Sequence, residues 1–395
     1  MNRLFCILSL IAFVFLSCNH HHDLPEPAPK ESKRTVIVYM IAENSLWKYA
    51  PSDSAEMAAA APYIPDSVNF IVYKDGVELP ILYTLSKKEG FRPWKKYTRD
   101  QDSADSLVMN DVLRTIKQNF PAEKYGLVLW SHGSGWIPRD TPSAPTRTIG
   151  VDNGRNEKSY PSADLGNKMN ISELRWAINQ NLHAEYILFD ACFMQNIETA
   201  YELRNACDFI IGSPAEIPGD GAPYQLIMNE LCSGDAVGIA SNYFDYHERK
   251  SGVALSVIDC KKLENLAEKS KPYIQKIWGE KNIVRTDNIQ VFAPFYARHG
   301  WEPEPFDIRS TMHKLLSHEE YETWNEALEQ AVVFHKSTSS WPTEFDRSYS
   351  VLSDPEYYSG VGMFIPSPKY DKYHWNELFR NTSWYKAAGW ETTGW

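Results

Sequence analysis

Short apolar runs rich in β-branched residues recur along the first two thirds of the chain, separated by segments with helical spacing. Thr35–Ile41, Val68–Tyr73, Pro80–Leu85, Tyr125–Trp130, Tyr186–Phe189, Phe209–Ile211 and Val253–Ile258 read as strands. Most are apolar throughout, the pattern of strands buried on both faces. Between them, Ser52–Ala61, Ser103–Asn119, Asn170–Gln180, Met194–Arg204 and Ala222–Leu231 read as helices. Leu107, Val108, Val112, Leu113 and Ile116 recur at helical spacing. Alternation of this kind predicts an α/β fold with a mostly parallel sheet and helices on both sides. In such sheets, functional groups sit beyond the C-terminal ends of strands.

The last third reads differently. Helices are expected at Lys261–Gly279 and Thr311–Phe334, a strand at Val361–Ile365 and a final helix near Tyr373–Tyr385. Eight of the 13 tryptophans lie from Trp278 onward. An aromatic surface would suit sugars, but helix and core packing is the expectation for most of them. The division expected is a signal at 1–17, a tether at 18–31, a catalytic core at 32–260 and packed additions at 261–395.

The N-terminus carries an address. Arg3 precedes the apolar run Leu4–Leu16, which is too short to span a bilayer but suits a signal peptide. Phe15-Leu16-Ser17-Cys18 resembles a bacterial lipobox, which makes Cys18 the candidate lipidation site and the cell envelope the expected location. The following His20, His21 and His22 and three prolines read as a solvated tether. A net charge of −11 argues against a nucleic-acid partner. Cys192, Cys207, Cys232 and Cys260 are too few for a disulfide framework, and no spacing resembles a zinc site. An exported chain could still hold one disulfide, Cys207–Cys232 or another pair.

Two strand ends carry chemistry. His132 follows Tyr125–Trp130, and Cys192 follows Tyr186–Phe189. A cysteine is a strong nucleophile only as thiolate, and a neighbouring imidazole supplies the base. Gly133 permits close backbone approach, and the amides of Gly133 and Cys192 are candidates for an oxyanion hole. The helix expected from Met194 would add its dipole to a Cys192 thiolate. Each residue also has a plain structural reading, a hydrogen-bonded strand-end histidine and a buried small thiol.

Leu129-Trp130-Ser131-His132-Gly133-Ser134-Gly135 and Phe189-Asp190-Ala191-Cys192-Phe193-Met194 resemble the paired motifs of the clostripain-like cysteine peptidases. The likeness continues through Glu198–Leu203 and Ile211–Glu216 to Pro218–Tyr224, and weakly at Gly360–Pro366. It implies a caspase-like α/β/α sandwich, with His132 as general acid/base and Cys192 as nucleophile in a dyad without a required third residue. It further implies cleavage of peptides or proteins after Arg or Lys, and hence a carboxylate in the specificity pocket, for which Asp190 and Asp220 are the candidates. Asx-turn or capping roles are the plain alternatives for both. No cofactor is required by the resemblance, though some family members need calcium. Asp152-Asn153-Gly154 lacks the calcium-loop spacing and reads as a turn. Self-processing in the polar stretch 138–168 has basic sites at Arg139, Arg147, Arg155, Lys158 and Lys168. A monomer is expected.

Two other classes compete. An α/β-hydrolase needs Gly-x-Ser-x-Gly, and His132 stands where Ser134 would need glycine. A lipid-anchored binding protein for peptides or glycans on a peptidase fold would lack selective labelling of Cys192 by a thiol-reactive peptide.

Overall fold

The computed structural model describes residues 31–137, 149–154, 164, 166–293, 303–343 and 349–395. The signal, the tether and Cys18 lie outside them, as do Arg139, Arg147, Arg155 and Lys158. Lys168 is described and buried. Among the described residues no helix is long and apolar enough to cross a membrane.

Among the described residues the strands up to Ser337 are β1 Ser32–Ile41, β2 Val68–Asp75, β3 Ile81–Ser86, β4 Gly90–Lys96, β5 Ala122–Trp130, β6 Ile149–Asp152, β7 Asn167–Met169, β8 Ala184–Asp190, β9 Cys207–Gly212, β10 Ala254–Asp259, β11 Phe306–Asp307 and β12 Val332–Ser337. Nine of them form one sheet in the order β12-β10-β9-β8-β5-β1-β2-β3-β4. The five central strands β9, β8, β5, β1 and β2 run parallel, and antiparallel strands extend both edges. This is the α/β class expected.

Strand alternation sorts the core into two layers. Ile37, Tyr39 and Ile41 of β1 and Leu127 and Leu129 of β5 pack beneath helices α2 Ser106–Asn119, α3 Ile171–Asn179 and α4 Ile197–Leu203. Val36, Val38 and Met40, with Val128 and Trp130, face α1 Ala50–Ala60, α5 Tyr224–Ser233 and α6 Ala236–Glu248 on the other side. The continuous apolar runs follow directly, because both faces are covered.

The last third departs from its sequence reading in detail. The expected helix Thr311–Phe334 is two helices and a strand: Ile308–Leu315, His318–Ala331 and β12. Leu316 is extended, and Ser317 with Glu320 forms a capping box that starts the second helix. Val332 and Phe334 then enter the sheet edge beside β10. The final helix is likewise two short ones, Trp375–Arg380 and Ser383–Ala387, the second capped by Thr382. Trp278, Trp324, Trp341, Trp375, Trp384, Trp390 and Trp395 are all buried. They are packing residues in an aromatic cluster, with Trp278 and Trp390 ring centroids 4.6 Å apart. The edge strand β4 escapes the sequence pattern because Arg92, Pro93, Trp94 and Lys95 are exposed, which suits proline and charge at a sheet edge.

Candidate active site

Register brings the two motif residues together. Trp130 pairs with Asp190 across the parallel strands β5 and β8. His132 and Cys192 each lie two residues beyond that pair, so they leave adjacent strands at the same level. Gly133 shows how close the two loops come. A Cβ built there would sit 2.5 Å from the Cys192 carbonyl oxygen and 2.8 Å from Met194 Sδ. Only a residue without a side chain permits that approach.

The Cys192 loop is held by its neighbours. Phe193 donates its amide to Ala215 O at 2.9 Å, and Gln195 donates to Ser213 O at 3.0 Å. Phe193 itself has φ +60°, an unfavourable setting for an aromatic residue. The half-buried Cys192 Sγ accepts from the Ile217 amide at 3.5 Å. The helix expected at Met194 begins only at Ile197, and the Asn196 side chain caps it by accepting from the Thr199 amide. Cys192 therefore lies four residues before the cap, outside the helix and its first turn.

His132 Nε2 lies 2.9 Å from Ser45 Oγ and 3.3 Å from Asp164 Oδ2. The Asp164 carboxylate also accepts from the Ser45 amide and hydroxyl, both at 3.0 Å. Ser45 follows directly on Asn44, whose side chain donates to Ile41 O and Val151 O at 2.8 Å each. Neither Ser45 nor Asp164 was legible as a site residue in the sequence. They meet His132 from the end of β1 and from the polar stretch after β6, and nothing in their spacing announces it.

Asp190 is buried beneath the Cys192 loop. Its Oδ1 accepts from the Ala222 amide at 2.9 Å and the Tyr243 hydroxyl at 3.3 Å, and its Oδ2 accepts from Tyr224 OH at 3.2 Å. Gly221, at φ +58°, passes so near that a Cβ would stand 2.9 Å from Asp190 Oδ1. Burial pushes the Asp190 carboxyl up to about 6, against the donors that favour its ionised form. Asp220, in the same loop, is half-exposed and pairs with Lys250 Nζ at 3.5 Å. Asp53 of α1 joins this acidic region and accepts from Trp130 Nε1 at 2.6 Å. Burial, then the Asp190 charge, raises it to about 8.

A raised carboxyl keeps its proton in the folded chain and loses it in the unfolded one. The stability Asp53 confers is therefore full below about pH 4 and drains away as pH rises through about 8. Asp53→Asn is expected to gain on the wild type steadily over that range. Thermal unfolding of both proteins at pH 4 to 9 measures it, and a constant difference would refute the assignment.

A second acidic cluster lies at the ends of β1 and β2. Glu43, Asp75 and Asp100 bring ligand oxygens within 4.8 Å of one another. Asp75 accepts from the Ser103 hydroxyl on Oδ2, while its buried Oδ1 has no hydrogen-bond partner among the described residues. An oxygen-only donor set with an orphaned buried carboxylate oxygen fits a hard cation such as calcium. Asp152-Asn153-Gly154 forms the turn expected, with Asp152 Oδ1 accepting from Gly154 at 2.9 Å.

All four described cysteines are free thiols. Cys207 Sγ lies 3.6 Å from Cys260 Sγ, so Cys260 and not Cys232 is its neighbour. β9 begins at Cys207 and β10 ends just before Cys260, and their antiparallel pairing closes that distance.

A strand-end histidine and a strand-end cysteine on adjacent parallel strands define the class: an α/β protein built like a cysteine hydrolase. Comparison with known proteins places it further. Residues 38–395 match the model of the clostripain family, and the chain belongs to that family of cysteine peptidases. It is similar to a secreted C11 cysteine protease from Bacteroides thetaiotaomicron solved with an irreversible peptide inhibitor. That match has 30% identity and a TM-score of 0.78, covering 91% of this chain and all of that one. An inactive zymogen C11 protease from Parabacteroides distasonis matches at 27% identity and TM-score 0.74, over 92% and 99% of the two chains. Clostripain of Hathewaya histolytica is 25% identical over 162 residues, 40% of this chain and 28% of that protein's length.

Proposed function

We propose that this chain is a cysteine endopeptidase that cleaves after Arg or Lys through an acyl-enzyme. The observation that carries the reading is the meeting of the His132 and Cys192 loops at Gly133. His132 takes the Cys192 thiol proton, and the thiolate attacks the scissile carbonyl carbon. The tetrahedral oxyanion is met by the Gly133 and Cys192 amides. Collapse expels the amine, which leaves with the proton returned by His132. Water activated by the same imidazole then releases the acid and restores the thiol.

The side chain before the cut is basic in this reading because the neighbouring loop is acidic. Asp220 offers an accessible carboxylate, held by Lys250 until a substrate cation replaces it. Asp190 sits deeper and supports the pocket through its bonds to Ala222, Tyr224 and Tyr243. Residues 32–260 form the catalytic core, and Cys18 tethers the exported chain to an envelope membrane by lipid. Where calcium binds, Glu43, Asp75 and Asp100 are the residues that would hold it, and it would neutralise their mutual repulsion beside the β1 end.

Peptides differing only in the residue before the cut (Arg, Lys, Asp, Asn, Leu), given to the protein starting at Ser32, test the specificity. Arg and Lys peptides are expected to be cleaved. Asp220→Asn is expected to lower kcat/KM for these by about tenfold or more, without changing any turnover of uncharged peptides. Cleavage after Asp or Leu instead would discard the acidic pocket and keep the dyad.

A further inference from the structure

The contacts of His132 favour one placement of its protons. A carboxylate only accepts, so the pairing that satisfies all three groups has the Ser45 hydroxyl donating to Asp164 Oδ2, 3.0 Å away. Facing His132 Nε2 at 2.9 Å, the same oxygen is then an acceptor. In that arrangement Nε2 carries the N–H, and Nδ1 is the nitrogen that takes the proton from Cys192. Asp164 Oδ2 stands 3.3 Å from the same Nε2, so a negative charge lies beside the ring where positive charge develops. The arrangement is mostly shielded from water, with side-chain exposures of 16% for His132 and 10% for Asp164. Its base is rigid, because Asp164 is held by the Ser45 main chain as well as its hydroxyl.

We propose that Asp164 and Ser45 are positioning residues for the reaction: together they hold His132 in the Nε2–H tautomer, and Asp164 stabilises the imidazolium formed when Cys192 ionises. The proposal rests on the His132–Cys192 reading above and adds a carboxylate and a hydroxyl to it. Both act through their contacts with His132. The proton passes from Cys192 Sγ to His132 Nδ1, while Nε2 keeps its own and Asp164 stays ionised. The chemistry also distinguishes this role from a latch. A latch would block the imidazole, and its removal would speed the reaction, whereas loss of an orienting carboxylate slows it.

Asp164→Asn keeps the shape and removes the charge. It is expected to lower kcat by about 10- to 100-fold with KM within about twofold, since the loss falls on the chemical step. Ser45→Ala is expected to lower kcat by a smaller factor in the same direction, and it keeps the test open should Asp164→Asn fail to fold, which thermal unfolding would show. A second readout needs no substrate: the rate of Cys192 alkylation by iodoacetamide at pH 7, followed by peptide mass mapping. It is expected to fall by about tenfold in Asp164→Asn, because the thiolate–imidazolium pair is less populated. Unchanged or faster alkylation and turnover in both variants would overturn the proposal. A wild type that cleaves no peptide would count against the peptidase reading, and the alkylation rates would still decide the role of Asp164.

Discussion

Cys192→Ala is expected to abolish peptide hydrolysis, with a loss of at least about 10⁴-fold in kcat. Cys192 is the described cysteine placed beside His132, while Cys207, Cys232 and Cys260 are buried in the core. Serine or alanine at those three positions would remove no nucleophile from the site. The Cys192→Ala protein should unfold at nearly the wild-type temperature, because Cys192 is only half-buried and the bond its sulfur accepts from Ile217 is long. Hydrolysis of an Arg peptide by matched preparations, with thermal unfolding beside it, measures both. Residual turnover within tenfold of wild type would mean that another group carries the chemistry, and the dyad would be wrong.

Gly133→Ala is expected to cost about 100-fold in kcat/KM and to lower the unfolding temperature by several degrees. One methyl group does this because of where it lands. The Met194 side chain at 2.8 Å could swing aside, but the Cys192 carbonyl oxygen at 2.5 Å is main chain. Relief has to come from moving the strand-end loop that carries the nucleophile, or the one that carries His132. Overpacking of this kind costs about 1–3 kcal/mol, and a shift near 1 Å between reacting groups is enough for a hundredfold loss. Kinetics with a basic peptide and a melting curve check the two parts. If activity and stability were both unaltered, the loops would not meet as described, and the oxyanion role given to the Gly133 amide would fall with them.

The parts of this protein legible in its sequence are those set by local chemistry. Apolar β-branched runs such as Val36–Ile41 and Leu127–Trp130 mark strands buried on both sides, and the sheet has them at its centre. His132 and Cys192 could be singled out because each follows such a run and the pair matches a family pattern. The seven C-terminal tryptophans among the described residues read correctly as packing, since side chains of that size fill an interior wherever helices meet. Boundaries were less legible where a single cap decides them. Ser317 starts a new helix inside what periodicity reads as one, and Asn196 delays α4 by several residues.

Other features depend on approach across large sequence distances, which local pattern does not encode. Ser45 and Asp164 are 119 positions apart and meet on His132 only because β1 lies beside β5. Asp53 and Asp190 influence each other because α1 packs on the face of the sheet where Trp130 points. Cys207 finds Cys260, not Cys232, because β9 and β10 pair in opposite directions. By itself, then, the sequence determined the α/β class and the central strands and singled out the two residues proposed as the dyad, since each follows from hydrophobic burial or from a residue's own reactivity. Tertiary structure alone decided which groups surround the imidazole, how deep each acidic side chain lies and which thiols are neighbours. Those are properties of distance and solvent exclusion, and they come into being only when the sheet closes.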